Sequence, residues 1–232
     1  MIKDFDVAFN DTLLKGDQYI GARQNNVLYL HGAGASTRKG HHMVRAALQQ
    51  RGVGTTCFDC IGHGDTGGEI GQSSVASRTR QAQAVIEARG MAQPLVIFGS
   101  SMGAYNAIRL TQQHAVDALV LMVPGVYTPP AYEVPFGPEF SAVIRRERSW
   151  VDSDAWDILS RFEGSLLVIA AEHDAVIPAE IPERLVAAAV NARSRRLHVV
   201  PGAGHNYLWA LLMEQQPAFD TTMDMVVDSI RA

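Results

Sequence analysis

The sequence predicts an α/β fold: a mostly parallel central sheet with helices on both faces, an N-terminal antiparallel edge hairpin and a small cap insertion. Three observations predict it. From about residue 27 onward, short apolar runs of strand length alternate with longer runs of helical spacing, as in a parallel sheet covered by crossover helices. Ahead of them, two strand-like runs meet at the polar pair Asn10-Asp11, the mark of a hairpin on the sheet edge. Between Pro124 and Gly164 the alternation lapses into a stretch holding Pro129, Pro130, Pro135 and Pro138. An irregular insertion of about forty residues inside a compact domain is usually functional, so residues 125–164 are expected to form a cap over the site. The whole chain, 1–232, is expected to be one domain, long enough to bury a core without metals or disulfides.

Taken in order, Asp4 to Asn10 and Leu13 to Gly21 are the two hairpin strands. Val27 to Leu30 is a compact apolar strand ending at His31-Gly32. Helical spacing then runs from Lys39 to Arg51 and stops near Gly52. Thr55 to Phe58 is a short strand ending in Asp59. Ser73 to Arg89 is an amphipathic helix with Val75, Ala82, Val85 and Ile86 inward, closed by Gly90. Leu95 to Phe98 is a buried strand, Ala104 to His114 a helix, and Asp117 to Val123 a further strand. Within the insertion, Phe140 to Arg148 has the spacing of a short helix. Leu166 to Ala170 and Leu197 to Val200 are the last strands, and Leu208 to Arg231 is one helix or two, divided near Pro217.

Composition narrows the function classes. A net charge of -4 gives no field that would draw nucleic acid or anionic lipid, so neither is an expected partner. The segment Met1 to Asp6 has neither a basic nor an apolar leader region, and no apolar run approaches the ~20 residues of a membrane span. A cytoplasmic location is the default expectation. Cys57 and Cys60 form a C-x-x-C, but along and just after a strand rather than at a helix start. There their Cα atoms would lie about 10 Å apart, beyond the ~7 Å limit for a disulfide. His41 and His42 are adjacent and point about 100° apart on a helix, so they cannot share a metal. No metal and no cofactor is expected, and nothing in the sequence marks an oligomeric interface.

The chemistry centres on Gly99-x-Ser101-x-Gly103, placed after an apolar strand and before a helix. A sharp strand-to-helix turn forces its serine into strained backbone space and needs small neighbours two positions away. In return it presents an exposed hydroxyl at a helix N-terminus, where amides favour developing negative charge. Ser100 is the rival nucleophile, but only Ser101 has glycine at that spacing on both sides.

Here the chain resembles the α/β-hydrolase family, and further segments extend the likeness. His31-Gly32-Ala33-Gly34 is similar to the family's oxyanion loop. Asp59-x-x-Gly62-His63-Gly64-x-Thr66 is similar to its D-x-x-G-H-G-x-S loop. Asp174 in Glu172-His173-Asp174, and His205 in Gly202-Ala203-Gly204-His205, resemble its acid and histidine segments. The resemblance implies Ser101 as nucleophile, His205 as the base that takes its proton, and Asp174 as the residue orienting that imidazole. It also implies an oxyanion hole made by the Met102 amide and a second from the His31-Gly32 loop, expected at Ala33 with Gly34 as the alternative. The implied activity is hydrolysis of a small or medium ester-like molecule through an acyl-enzyme. Thioesters, lactones, amides, carbon–carbon bonds beta to a carbonyl and cofactor-free haloperoxidase-like chemistry use the same machinery. Serine at the elbow speaks against the dehalogenases and epoxide hydrolases of this fold, which carry aspartate there. The alternative from another class is a non-catalytic member that binds a small ligand.

Substrate contacts are less constrained. Gly34, Arg38, His63, Tyr127 and Phe136 are candidate substrate-binding residues. Arg38 would meet an acidic group, whereas Tyr127 and Phe136, with Phe140, Trp150 and Trp156, would either line an acyl pocket under the cap or bury the cap against the core. His63 and His31 would more plainly brace their loops. The basic run Arg145, Arg146 and Arg148 has the character of a solvated face.

Overall fold

The computed structural model describes residues 1–22 and 26–231. Its strands are β1 (Ile2–Phe9), β2 (Thr12–Tyr19), β3 (Val27–Leu30), β4 (Thr55–Phe58), β5 (Leu95–Ser100), β6 (Val116–Met122), β7 (Ser165–Ala171) and β8 (Ser194–Val200). They form one sheet in the order β1-β2-β4-β3-β5-β6-β7-β8. The hairpin β1–β2 is antiparallel and joins β4 antiparallel, while every later pairing is parallel. The helices are α1 (His42–Gln50), α2 (Val75–Ala88), α3 (Met102–Leu110), α4 (Pro138–Ile144), α5 (Ala155–Ser160), α6 (Glu180–Ala188), α7 (Leu208–Glu214) and α8 (Gln216–Arg231).

Period-two alternation along the central strands divides the core. In β3 and β5, Leu28, Leu30, Leu95 and Ile97 face one side, and Val27, Tyr29, Val96 and Phe98 the other. The first face is covered by α2, α3, α5 and α6, the second by α1, α7 and α8. At about 1.5–3 kcal/mol for each fully buried aliphatic side chain, these two layers anchor the carboxyl ends of the strands where the site is built. The inward positions expected on α2 are all buried, and Ser74 caps that helix by accepting from the Ser77 amide at 3.0 Å. Cys57 and Cys60 are both free and buried.

Several elements differ from expectation. α6 was not foreseen; Pro182 lies in its first turn, where a missing amide costs nothing, and Ile181 and Leu185 pack inward. At the C-terminus the structure takes the two-helix alternative, divided at Gln215 near Pro217 as expected, with Pro217 in the first turn of the second helix. The helix expected at Phe140 to Arg148 is α4, displaced toward Pro138, which starts it.

The insertion expected as a cap lies against the body. The Ala76 amide donates to Tyr132 carbonyl at 2.9 Å and the Phe136 amide to Ser73 carbonyl at 2.9 Å, lashing the segment to the start of α2. Asp154, just before α5, receives the Tyr105 hydroxyl and the Arg109 guanidinium of α3. Tyr127 and Phe136 each pack at an angle against Phe140, with centroids 5.8 and 5.0 Å apart, over the α2–α3 face of the core. Aromatic burial therefore draws the segment down one side of the sheet as a buttress.

Candidate active site

The elbow between β5 and α3 holds Ser101 at φ 50°, ψ -115°, a conformation that L residues adopt only under constraint. The close approach needs its two glycines. A Cβ on Gly99 would lie 2.4 Å from Ala104 Cα, and one on Gly103 would lie 2.4 Å from Leu30 carbonyl oxygen. Backbone bonds fix the turn: Ser101 N–H donates to Met122 carbonyl at 2.9 Å, and Ser101 carbonyl accepts from Ala104 and Gly125 at 3.0 and 3.1 Å.

Two loops from the far strands complete the constellation. His205, after β8, places Nε2 3.1 Å from Ser101 Oγ and Nδ1 2.8 Å from Asp174 Oδ2. Asp174, after β7, accepts from the Val176 and Ile177 amides through Oδ1, both at 2.8 Å. Burial pushes its carboxyl up, but the His205 hydrogen bond and the two amides outweigh this and hold it below the usual carboxylate range. The loops are tied together, since the His173 amide donates to Ala203 carbonyl and the Gly202 amide to Glu172 Oε2, each at 2.8 Å. The His205 and Asp174 side chains are only 11% and 8% exposed, so their contact is shielded from water. Such a chain can remove the serine proton as the hydroxyl attacks a carbonyl carbon. Ser100 points no hydrogen bond at this imidazole.

The amides expected to serve as oxyanion donors are unengaged. Met102 opens α3, and its amide and those of Ala33 and Gly34 have no protein acceptor among the described residues. Gly32 N–H is already used by Ser36 Oγ at 3.1 Å. His31 beneath the loop is fully buried: Nδ1–H donates to Gly32 carbonyl at 2.7 Å and Nε2 accepts from the Cys60 amide at 3.0 Å. That pairing fixes the neutral tautomer, and burial, then Arg78, hold its pKa well below the ordinary value.

The Asp59 loop is a structural brace. Asp59, wholly buried, accepts from the Arg38 and Asp65 amides at 2.7 and 3.0 Å and pairs with the Arg38 guanidinium. Thr66 Oγ1 accepts from Lys15 N–H at 2.8 Å and donates to Asp59 carbonyl at 2.7 Å, which accounts for the hydroxyl residue in that motif. Arg38 thus turns inward to Asp17, Asp59 and Asp65 and is not available to an acidic substrate. His63 packs at an angle against His31, with ring centroids 4.9 Å apart, and donates to Ile61 carbonyl at 3.3 Å, so it too lies in the brace.

A groove of about 600 Å³ runs past Ser101 and His205. It is lined by residues of the 32–41 loop, among them Ser36 and His41, and by residues of α7, among them Trp209 and Met213. No residue of 125–164 lines it, so Tyr127 and Phe136 are not brought to this groove. Trp209, Met213, Ser36 and His41 were missed as lining residues. The available signal was that α7 begins directly after the His205 loop, so its first turn must stand beside the imidazole.

Fold and site together define an α/β-hydrolase. Within that class the chain belongs to the family described as serine aminopeptidase, S33, whose model matches residues 21–152. It is 32% identical over 164 residues to an uncharacterised protein of Mycobacterium tuberculosis, covering 69% of this chain and 56% of that protein. It is 29% identical over 214 residues to a lysophosphatidylserine lipase of Xenopus tropicalis, covering 79% and 53%. The chain thus spans about half the length of the curated relatives it matches. Among solved structures, an esterase from Exiguobacterium antarcticum superposes with a TM-score of 0.75 at 17% identity, covering 99% of this chain and 100% of that one. A ferulic-acid-bound protein from Butyrivibrio proteoclasticus does so at 0.75 and 16%, covering 98% and 100%. Among the described residues no helix is long and apolar enough to cross a membrane.

Proposed function

We propose that the protein hydrolyses uncharged carboxylic esters through an acyl-enzyme on Ser101. The observation that carries this reading is the hydrogen-bonded chain from Ser101 Oγ through His205 to Asp174, held at a strained elbow. Ser101 Oγ attacks the carbonyl carbon while His205 Nε2 takes its proton, and Asp174 stabilises the imidazolium. The tetrahedral oxyanion is held by the Met102 amide and by that of Ala33. As the carbon–oxygen bond to the leaving group breaks, His205 returns the proton to the departing alcohol. Water, deprotonated by the same imidazole, then releases the acid and restores the Ser101 hydroxyl.

The groove supports a neutral substrate. Apart from histidine, its lining contains no ionisable side chain, and Arg38 is spent on aspartates. An aminopeptidase substrate carries a free α-amino group, for which these walls offer no carboxylate. Esters are therefore favoured over aminoacyl amides.

Purified protein is expected to turn over p-nitrophenyl butyrate and to be labelled by a fluorophosphonate at Ser101. Ser101→Ala is expected to abolish both, a loss on the order of 10⁵ or more in kcat, with an unchanged unfolding transition. Wild-type protein giving neither adduct nor turnover would instead favour a ligand-binding member of the fold, and faster cleavage of aminoacyl p-nitroanilides than of esters would overturn the substrate class.

A further inference from the structure

Among the described residues three arginines are buried, and they are treated differently. Arg38 is paired with Asp17, Asp59 and Asp65, and Arg45 with Asp17. Arg78, on α2, is 2% exposed and has no carboxylate within ion-pair distance among the described residues. An unpaired interior charge is strongly unfavourable, so its retention calls for a use.

Its contacts indicate the use. One terminal nitrogen of Arg78 donates to His31 carbonyl at 2.6 Å, and the other reaches Met102 Sδ at 3.2 Å, while Nε has no partner. These are the two segments that carry the oxyanion amides: the strand end leading into Gly32-Ala33, and the first residue of α3. The neighbours do not neutralise the guanidinium. His31 and His63 are held uncharged by burial and by Arg78 itself. Burial raises the Cys60 thiol despite the charge of Arg78 and a hydrogen bond from it, and pushes the Tyr127 phenol up to about 12. Asp59, further along the loop, is already committed to Arg38.

We infer that Arg78 is a positioning residue for ester cleavage, gripping both oxyanion segments from behind and supplying the unpaired positive charge that the tetrahedral oxyanion complements. The inference rests on the serine-hydrolase reading. In the ground state the site holds a cation without an anion; in the transition state the anion forms on the far side of the same two residues. Such an interaction is stronger in the transition state than with bound ester, so it acts on kcat.

The test compares wild type with Arg78→Lys, which keeps charge, and Arg78→Gln, which keeps a donor without charge. Readouts are kcat and KM on p-nitrophenyl butyrate, affinity for a trifluoromethyl ketone that forms a tetrahedral adduct, and thermal unfolding. Arg78→Gln is expected to lower kcat about ten- to a hundredfold with KM within about twofold, less than the ~10²–10³ for loss of a direct donor. Ketone affinity should fall by the same factor as kcat/KM, and Arg78→Lys should recover most of both. Equal activity of the Gln and Lys variants would overturn the role of charge, as would a loss confined to KM or to the fraction of folded protein. Should Arg78→Gln not fold, Arg78→Met read against Arg78→Lys carries the same comparison, since an apolar side chain relieves the buried charge. Wild type lacking fluorophosphonate labelling and turnover refutes the hydrolase reading itself, whereas active wild type with an unaffected Gln variant refutes only Arg78.

Discussion

On the side of Ser101 that faces β3 and α2, His31, Asp59 and Arg78 are buried; His31 and Asp59 are held by backbone and side-chain partners, whereas Arg78 Nε and His63 Nε2 have none among the described residues. On the side that faces α7, Trp209 and Met213 are only half-buried and border an open groove. The first side is a machine bed, in which a displaced atom strands a buried polar group. The second is an open surface along which, under the proposed ester hydrolysis, the acyl chain would lie. Substitutions on the bed should therefore change rate or stability sharply, and substitutions in the groove should change preference.

The largest difference is expected within the bed's extension to the far loops. Asp174→Asn should drop kcat by about 10⁴, because an amide in place of the carboxylate no longer dictates which nitrogen of His205 carries the proton. KM should hardly move, and circular dichroism should be unchanged. A loss below about tenfold would mean that another group orients His205. Next comes Asp59→Ala, which leaves Arg38 short of a buried partner and three donors unmatched. It should cost about 3–5 kcal/mol of unfolding free energy by urea titration. A change under 1 kcal/mol would show the brace to be dispensable.

The same contrast explains what could be read from sequence. Backbone approach at Gly99 and Gly103, the two-residue alternation of β3 and β5, and the order of the Ser101, Asp174 and His205 segments are local or topological facts that residue types report directly. The sheet order, the position of α6 and the destination of the 125–164 segment depend on which apolar faces meet. Tyr127 and Phe136 were equally compatible with a pocket and with a buttress until the Asp154 contacts and the aromatic packing placed them. Arg38 shows the same limit. Proximity to the oxyanion loop in sequence said nothing of three aspartates brought from elsewhere.

A smaller effect probes the border between bed and groove. His41 sits against Tyr29 hydroxyl and Ser36 Oγ at 3.1 and 3.3 Å, and burial, then Arg45, lower its pKa to about 4. In the unfolded chain the ring titrates near 6.5, so as pH falls from 6.5 to 4 protons bind the unfolded state preferentially. The stability present above 6.5 is lost across that window and the loss levels off below it. With solvent reaching one edge of the ring, the change is about 1–2 kcal/mol. His41→Gln should flatten this part of the curve of melting temperature against pH. An unaltered slope would place the titration on the other buried imidazoles.

The least disruptive substitution is the one that should reveal what the groove selects. Trp209 meets Phe219 edge-on at 6.3 Å on its inner side and presents its remaining surface to the groove. Trp209→Ala removes apolar wall without touching the Ser101–His205–Asp174 chain. The acetyl ester of p-nitrophenol, too short to reach along α7, should be cleaved with kcat/KM within about twofold of wild type. For an octanoyl ester, losing contact with part of an aromatic face should cost about 1–1.5 kcal/mol, or roughly five- to tenfold in kcat/KM, through KM. The measurement is a ratio of two substrates on one preparation, so partial unfolding cancels. Equal losses on both esters would mean that α7 supports His205 rather than the acyl chain, and the apolar wall would then belong to the bed.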